Sequence, residues 1–120
     1  MPIDPSTLTQ QQVQSALGAL IGAAVGDALG APFEFEPGGS YLERFPKAIV
    51  GGTGEMIGGG AFNWAPGEFT DDTQMALALT EAILSENGEF EPKRVWSHFV
   101  AWSKQASDIG ITTSASLRGS

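Results

Sequence analysis

The stretch Gly67-Glu68-Phe69-Thr70-Asp71-Asp72-Thr73 sets two hydroxyls and two adjacent carboxylates where a glycine-rich region gives way to a helical pattern. Thr70 suits an N-cap, since its side-chain oxygen can accept from a free first-turn amide, and acids at the next two positions suit the positive end of the helix dipole. A second reading starts from spacing. Asp72, Met75, Ala76, Leu79 and Ile83 recur at helical intervals, so Asp72 is expected to continue the apolar face, point inward and require a partner. The chain has no cysteine, one histidine and six Lys plus Arg. A hard divalent cation held by oxygen ligands is therefore a natural partner for paired Asp and Thr oxygens. Capping and metal binding both remain open on this motif alone.

Other carboxylates lie upstream. Thr9-Gln10-Gln11-Gln12 has the form of a capping box and opens a helix expected over about residues 10 to 29. Gly18, Gly22, Gly26 and Gly30 recur every fourth residue along it. Interior glycines cost roughly 0.5 to 1 kcal/mol each relative to alanine, so this ridge predicts close packing against another helix. Asp27 falls in the last turn, where a negative charge opposes the dipole; it either caps a neighbouring helix or loop or serves a site. Ala31-Pro32 ends the helix, and Glu34 and Glu36 follow on an extended segment.

The elements that must position these groups read as mainly α. Residues 1 to 8 read as a frayed arm. From Gly30 to Gly67 the chain carries ten glycines and four prolines, with Phe33, Phe35, Tyr41, Phe45, Phe62 and Trp64 interspersed, which predicts a long, irregular but ordered region over about 31 to 69. Gly51-Gly52-Thr53-Gly54 and Gly58-Gly59-Gly60 lack the Gly-Lys-Ser/Thr of a phosphate loop and read as turning glycines. A second helix is expected over 71 to 85, stopped by Asn87-Gly88. A third is expected over 92 to 106, opened by Pro92, with Val95, Phe99, Trp102 and Ala106 facing the core and His98 at the surface. Ser107 to Thr113 reads as a polar turn, after which a Ser- and Thr-rich segment enters another helix. No paired strands with hairpin signals occur.

A chain of 120 residues is enough for one domain with a moderate core. The net charge of −8 argues against nucleic acid and anionic membrane surfaces, because Arg44 and Lys47 or Lys93 and Arg94 form no extended basic patch. Zero cysteines exclude a disulfide framework and a Cys-ligated zinc site, and accord with a cytoplasmic location. The start shows no signal-peptide pattern. The apolar run near Leu17 to Val25 is shorter than the roughly 20 residues of a bilayer span, so a soluble protein is expected.

Taken together, three ordered motifs resemble the ADP-ribosylglycohydrolase family: Gly26-Asp27-Ala28-Leu29-Gly30 with Pro32 and Glu34; Pro66 through Thr73; and Asp108-Ile109-Gly110 with Thr112 and Thr113. The resemblance spans nearly the whole chain. It implies an all-α fold and removal of ADP-ribose from modified side chains or related small molecules with the help of two Mg2+ or Mn2+ ions. It further implies Thr70, Asp71 and Asp72 as metal ligands, Glu34 as a carboxylate on a mobile loop beside the metals, Asp108 and Gly110 as lining the ADP-ribose pocket, and Asp27 as a supporting residue. Either Glu34 or Asp108 would handle the proton, since ribosyl cleavage passes through an oxocarbenium-like state. Family members are longer and carry a second ligand set, Asp-x-Asp-Thr, near their C-terminal end, which nothing after Asp72 matches here. The chain therefore reads as the N-terminal part of such a domain, a fragment or truncated reading frame holding half a metal site, whose partner is the missing C-terminal part. A non-catalytic, crystallin-like binding or structural protein on the same scaffold is the competing reading.

Overall fold

The computed structural model describes residues 4–47 and 55–119. Five helices follow in order: α1 (Gln10–Gly30), α2 (Ser40–Arg44), α3 (Asp71–Ser85), α4 (Pro92–Ser103) and α5 (Ile111–Arg118), with short 3-10 turns at Pro5–Thr7 and Ala31–Phe33. Among the described residues there is no strand, and one isolated antiparallel bridge joins Gly59 to Trp64. The architecture is all-α.

Local chemistry accounts for several helix ends. Thr9 accepts from the Gln12 amide at 3.2 Å while the Gln12 side chain accepts from the Thr9 amide at 2.8 Å, a complete capping box. Glu91 caps α4 by accepting from the Arg94 amide at 2.7 Å, and Pro92 occupies the first helical position. Asn87 and Gly88 both take positive φ after α3, and the Gly88 amide closes the stop on the Ile83 carbonyl at 2.9 Å. Three expectations need adjustment. The arm before α1 contains a 3-10 turn, capped by the Asp4 carboxylate, which accepts from Ser6. Helix α4 ends at Ser103, three residues before the expected limit, in a turn where the Gln105 and Ala106 amides both reach the Trp102 carbonyl. The irregular region also contains α2 and the turn at Ala31–Phe33.

Packing is concentrated in the α3–α4 hairpin. Ala78, Ala82 and Val95 are buried there, and the Trp102 indole donates to Gln74 Oε1 at 2.8 Å. The loop is ordered by aromatics: Phe33 packs edge-on against Tyr41 and Phe45, whose own rings are tilted against each other, and Phe62 lies 5.5 Å from Trp64, which is itself buried. Gly58 and Gly60 take positive φ and sit against backbone, Gly60 on Pro32, so side chains are excluded at both. The Gly51-Gly52-Thr53-Gly54 motif lies outside the described residues.

Helix α1 departs from expectation. Added Cβ atoms at Gly18, Gly22 and Gly26 would meet nothing within 4 Å, so among the described residues the glycine ridge packs against no helix. Leu17, Leu20, Ile21 and Val25 are exposed with it. By length and composition alone, Gln10 through Phe33 is also long and apolar enough to cross a membrane, because the helix continues well beyond the short apolar run. The radius of gyration, 17.2 Å, exceeds the roughly 14 Å of a compact chain this long. A large apolar surface is left open.

Candidate functional site

The end of α1 and the start of α3 meet at Asp27. Its Oδ2 accepts from the Thr70 amide at 2.9 Å, the Thr73 amide at 3.2 Å and the Thr73 hydroxyl at 2.6 Å; its Oδ1 accepts from the Thr70 hydroxyl at 2.7 Å. Asp27 thus caps α3 from another helix, which is how a carboxylate at the unfavourable end of α1 becomes tolerable. Burial works against its ionisation, but the bonds from Thr73 and Thr70 outweigh that and hold its carboxyl below the usual range.

Two expectations about α3 are corrected here. Thr70 occupies the N-cap position, yet its side chain makes no capping bond, because its hydroxyl is spent on Asp27. Asp72 is exposed, not inward; the buried positions at this helix start are Thr70 and Thr73, and Ala78 and Ala82 continue the buried face. The apolar spacing through Asp72 runs along the edge of the packed face, one position away from its centre. Thr73 was not singled out from sequence as a site residue. Its signal was available in the Thr-x-x-Thr spacing, which places both hydroxyls on one side of a first helical turn.

A cleft of about 340 Å³ opens at this junction and is lined by Gly26, Asp27, Gly30, Ala31, Phe33, Glu34, Thr70, Asp71 and Asp72. Beside it lies a second cavity of about 400 Å³, lined by Glu34, Phe35, Phe62, Asp71, Asp108, Ile109, Gly110 and Ile111. Glu34 and Asp71 belong to both. The fold therefore brings together Glu34, Thr70, Asp71, Asp72, Asp108 and Gly110, residues scattered over 77 positions of sequence (Glu34 to Gly110, both ends counted). Phe35 and Phe62, whose rings lie 6.4 Å apart, line the second cavity without having been expected there. Phe35 takes a φ of +70°, an uncommon conformation for a bulky side chain.

The Gly110 amide donates to Asp71 Oδ2 at 3.4 Å, a long bond that ties the start of α5 to the start of α3. Asp108 is buried, and among the described residues its Oδ1 has no hydrogen-bond partner. Burial, then the negative charges of Asp71 and, less strongly, Glu34, push its carboxyl above the usual range. His98 stands apart in a groove between α3 and α4, half-buried, with Nδ1 3.9 Å from Glu81 Oε2.

The donor chemistry at the junction suits a hard cation: oxygens only, from two adjacent carboxylates, a threonine and a nearby glutamate. Among the described residues, however, no three Asp, Glu or His side chains converge closely enough to form a complete cage. The residues fit part of a ligand set.

Comparison with known proteins gives this arrangement its context. The chain is 37% identical over 122 aligned positions to the ADP-ribosylarginine hydrolase Tri1 of Pseudomonas putida (strain GB-1), covering 94% of this chain and 30% of that protein. It is 38% identical over 104 positions to the ADP-ribosyl-[dinitrogen reductase] glycohydrolase of Rhodospirillum rubrum, covering 86% of this chain and 33% of that protein. The chain thus spans about a third of the length of these relatives. The ADP-ribosylglycohydrolase family model matches residues 8–120, and with nearly the whole sequence so matched, the chain belongs to the ADP-ribosylglycohydrolase family.

Proposed function

We propose that this chain carries one half of the active site of a metal-dependent hydrolase that removes ADP-ribose from modified side chains or related small molecules. The observation that carries the reading is the shared wall of Glu34 and Asp71 between two clefts, one holding Thr70 and Asp72 and the other Asp108 and Gly110. Thr70, Asp71 and Asp72 would hold Mg2+ or Mn2+, and a bound ion would supply the positive charge that orients ribose hydroxyls and a water. Three protein oxygens leave the rest of a six-oxygen shell to water or to ligands from elsewhere. In this reading the adjoining cavity takes the ADP-ribosyl group against Asp108 and Gly110, and Glu34 or Asp108 handles the proton. ADP-ribosylarginine and ADP-ribosylated protein, the substrates named for the relatives, are the first to try.

The second metal-binding half and the cover for α1 would come from polypeptide equivalent to the remaining two thirds of the relatives. We place the working protein in the cytoplasm. Asp71→Asn/Asp72→Asn keeps shape while removing charge. Tested in this chain combined with such a polypeptide, it should abolish both Mn2+ binding in calorimetry and ADP-ribose release. Full activity in that variant would overturn the reading. Absence of Mn2+ binding in the unsubstituted protein would favour a non-catalytic binding protein on the same scaffold.

A further inference from the structure

We propose that Asp27 is a positioning residue: it holds the Thr70 hydroxyl proton inward, so that Thr70 presents lone pairs, and no proton, to the cleft beside Asp71 and Asp72. An ionised carboxylate can only accept, so both threonine hydroxyls facing Asp27 must donate to it. A hydroxyl has one proton. The 2.7 Å approach of Thr70 Oγ1 to Asp27 Oδ1 takes it in preference to the 3.4 Å approach to Asp71 Oδ1, which is too long for a good O–H···O bond. Capping alone does not call for this arrangement. Thr70 stands at the N-cap and is a residue type that ordinarily caps its own helix, yet here the capping of the Thr73 amide is transferred to a carboxylate 46 residues away. The transfer leaves the Thr70 lone pairs free of a capping bond, in a residue that lines the cleft. Thr73 provides an internal contrast, since its hydroxyl is held by the same carboxylate but does not line that cleft.

The two oxygens of Asp27 are not equivalent, and this makes the inference sharp. Oδ2 receives three donors, two of them backbone amides that cannot reverse, whereas Oδ1 receives the Thr70 hydroxyl alone. In Asp27→Asn the amide oxygen must therefore take the Oδ2 place and the amide nitrogen the Oδ1 place. The nitrogen then donates to Thr70 Oγ1, whose own proton is turned out into the cleft. The fold keeps three of its four bonds at this point, while a cation would meet a proton where it had met a lone pair.

The test uses this chain in two measurements, the second of which alone rests on the metal reading above. In NMR of the metal-free protein, the Thr70 hydroxyl proton should exchange slowly and show coupling across its bond to Asp27; a fast-exchanging or outward proton overturns the proposal, even if Asp27→Asn fails to fold. In Mn2+ titration of this chain combined with polypeptide equivalent to the remaining two thirds of the relatives, Asp27→Asn should weaken binding tenfold or more, in the range found for residues that orient metal ligands, while Thr73→Val changes it less than twofold. Equal weakening in both variants, or none in Asp27→Asn, overturns it. If the unsubstituted chain, combined with polypeptide equivalent to the remaining two thirds of the relatives, binds no Mn2+, the metal reading fails and the hydroxyl measurement still decides the role of Asp27.

Discussion

Asp27 Oδ2 lies 2.6 Å from Thr73 Oγ1, joining the last turn of α1 to the first turn of α3 across 46 residues of sequence. With the three companion bonds to Thr70 and Thr73, this contact fixes where the acidic helix start sits relative to Glu34.

Removing that carboxylate should therefore loosen the chain. Asp27→Ala leaves the Thr70 and Thr73 amides and both threonine hydroxyls without their acceptor, and a cost of about 2 kcal/mol or more is expected in urea denaturation. The pH dependence follows from the lowered carboxyl. Because the folded value lies below the unfolded one, the stabilisation is complete above the ordinary aspartate range, near about pH 4, and is lost as pH falls through the folded value. The Asp27→Ala variant should lack this component of acid destabilisation, so its stability gap to the unsubstituted chain should narrow in acid.

Gly58 offers a test of the loop. Its φ is +66°, and an added Cβ would come within 2.3 Å of the Trp64 carbonyl oxygen. Gly58→Ala combines a disfavoured backbone with a clash that only backbone movement can relieve, so it should destabilise by more than about 1 kcal/mol. Gly59 has positive φ but open space, and Gly59→Ala should cost less. Equal thermal midpoints for the two variants would show that the Gly59–Trp64 bridge does not hold the loop in this form.

How much of this was legible in sequence depended on the range of the interaction. Caps and stops act within about five residues, and Thr9, Pro92 and Asn87-Gly88 marked helix boundaries correctly. The inward direction of Asp72 was inferred from spacing alone and failed, because the buried face is set by what α3 meets: Asp27 at its start and α4 along its length. The placement of Phe35 and Phe62 at the second cavity depends on a loop path that no periodicity encodes. Family motifs named Glu34, Asp71 and Asp108, while their meeting at a shared wall required the fold.

The glycine ridge leads to a prediction opposite to the one its spacing suggested. Since added side chains at Gly18 and Gly22 would meet nothing within 4 Å, Gly22→Leu should leave the denaturation midpoint of this chain nearly unchanged. It should instead block association with polypeptide equivalent to the remaining two thirds of the relatives, because a close helix crossing does not accommodate a leucine. Co-purification of the two pieces with and without the substitution checks this.

Asp108 gives the last prediction, through the cost of keeping a charge where it is poorly solvated. Its carboxyl is buried, its Oδ1 lacks a partner among the described residues, and Asp71 and Glu34 add negative potential, so its folded value is raised. The sign is the reverse of that for Asp27. Between the ordinary aspartate value and the raised one, the folded chain binds more protons than the unfolded chain, so stability falls as pH rises through that window. At neutral pH the whole penalty is present. Asp108→Asn removes the charge while retaining the shape, and in buffer containing a chelator it should raise the thermal midpoint at pH 7 and give no gain below about pH 4, where the unfolded carboxyl is itself largely protonated. Under the proposed hydrolase reading, the same variant, assayed in this chain combined with polypeptide equivalent to the remaining two thirds of the relatives, should lose ADP-ribose release if the buried carboxyl serves the reaction. More stability together with less activity would mark Asp108 as a residue kept for chemistry at the expense of folding. A midpoint at pH 7 that falls on substitution would instead show that the ionised carboxylate is stabilised by the fold, and that its burial carries no penalty.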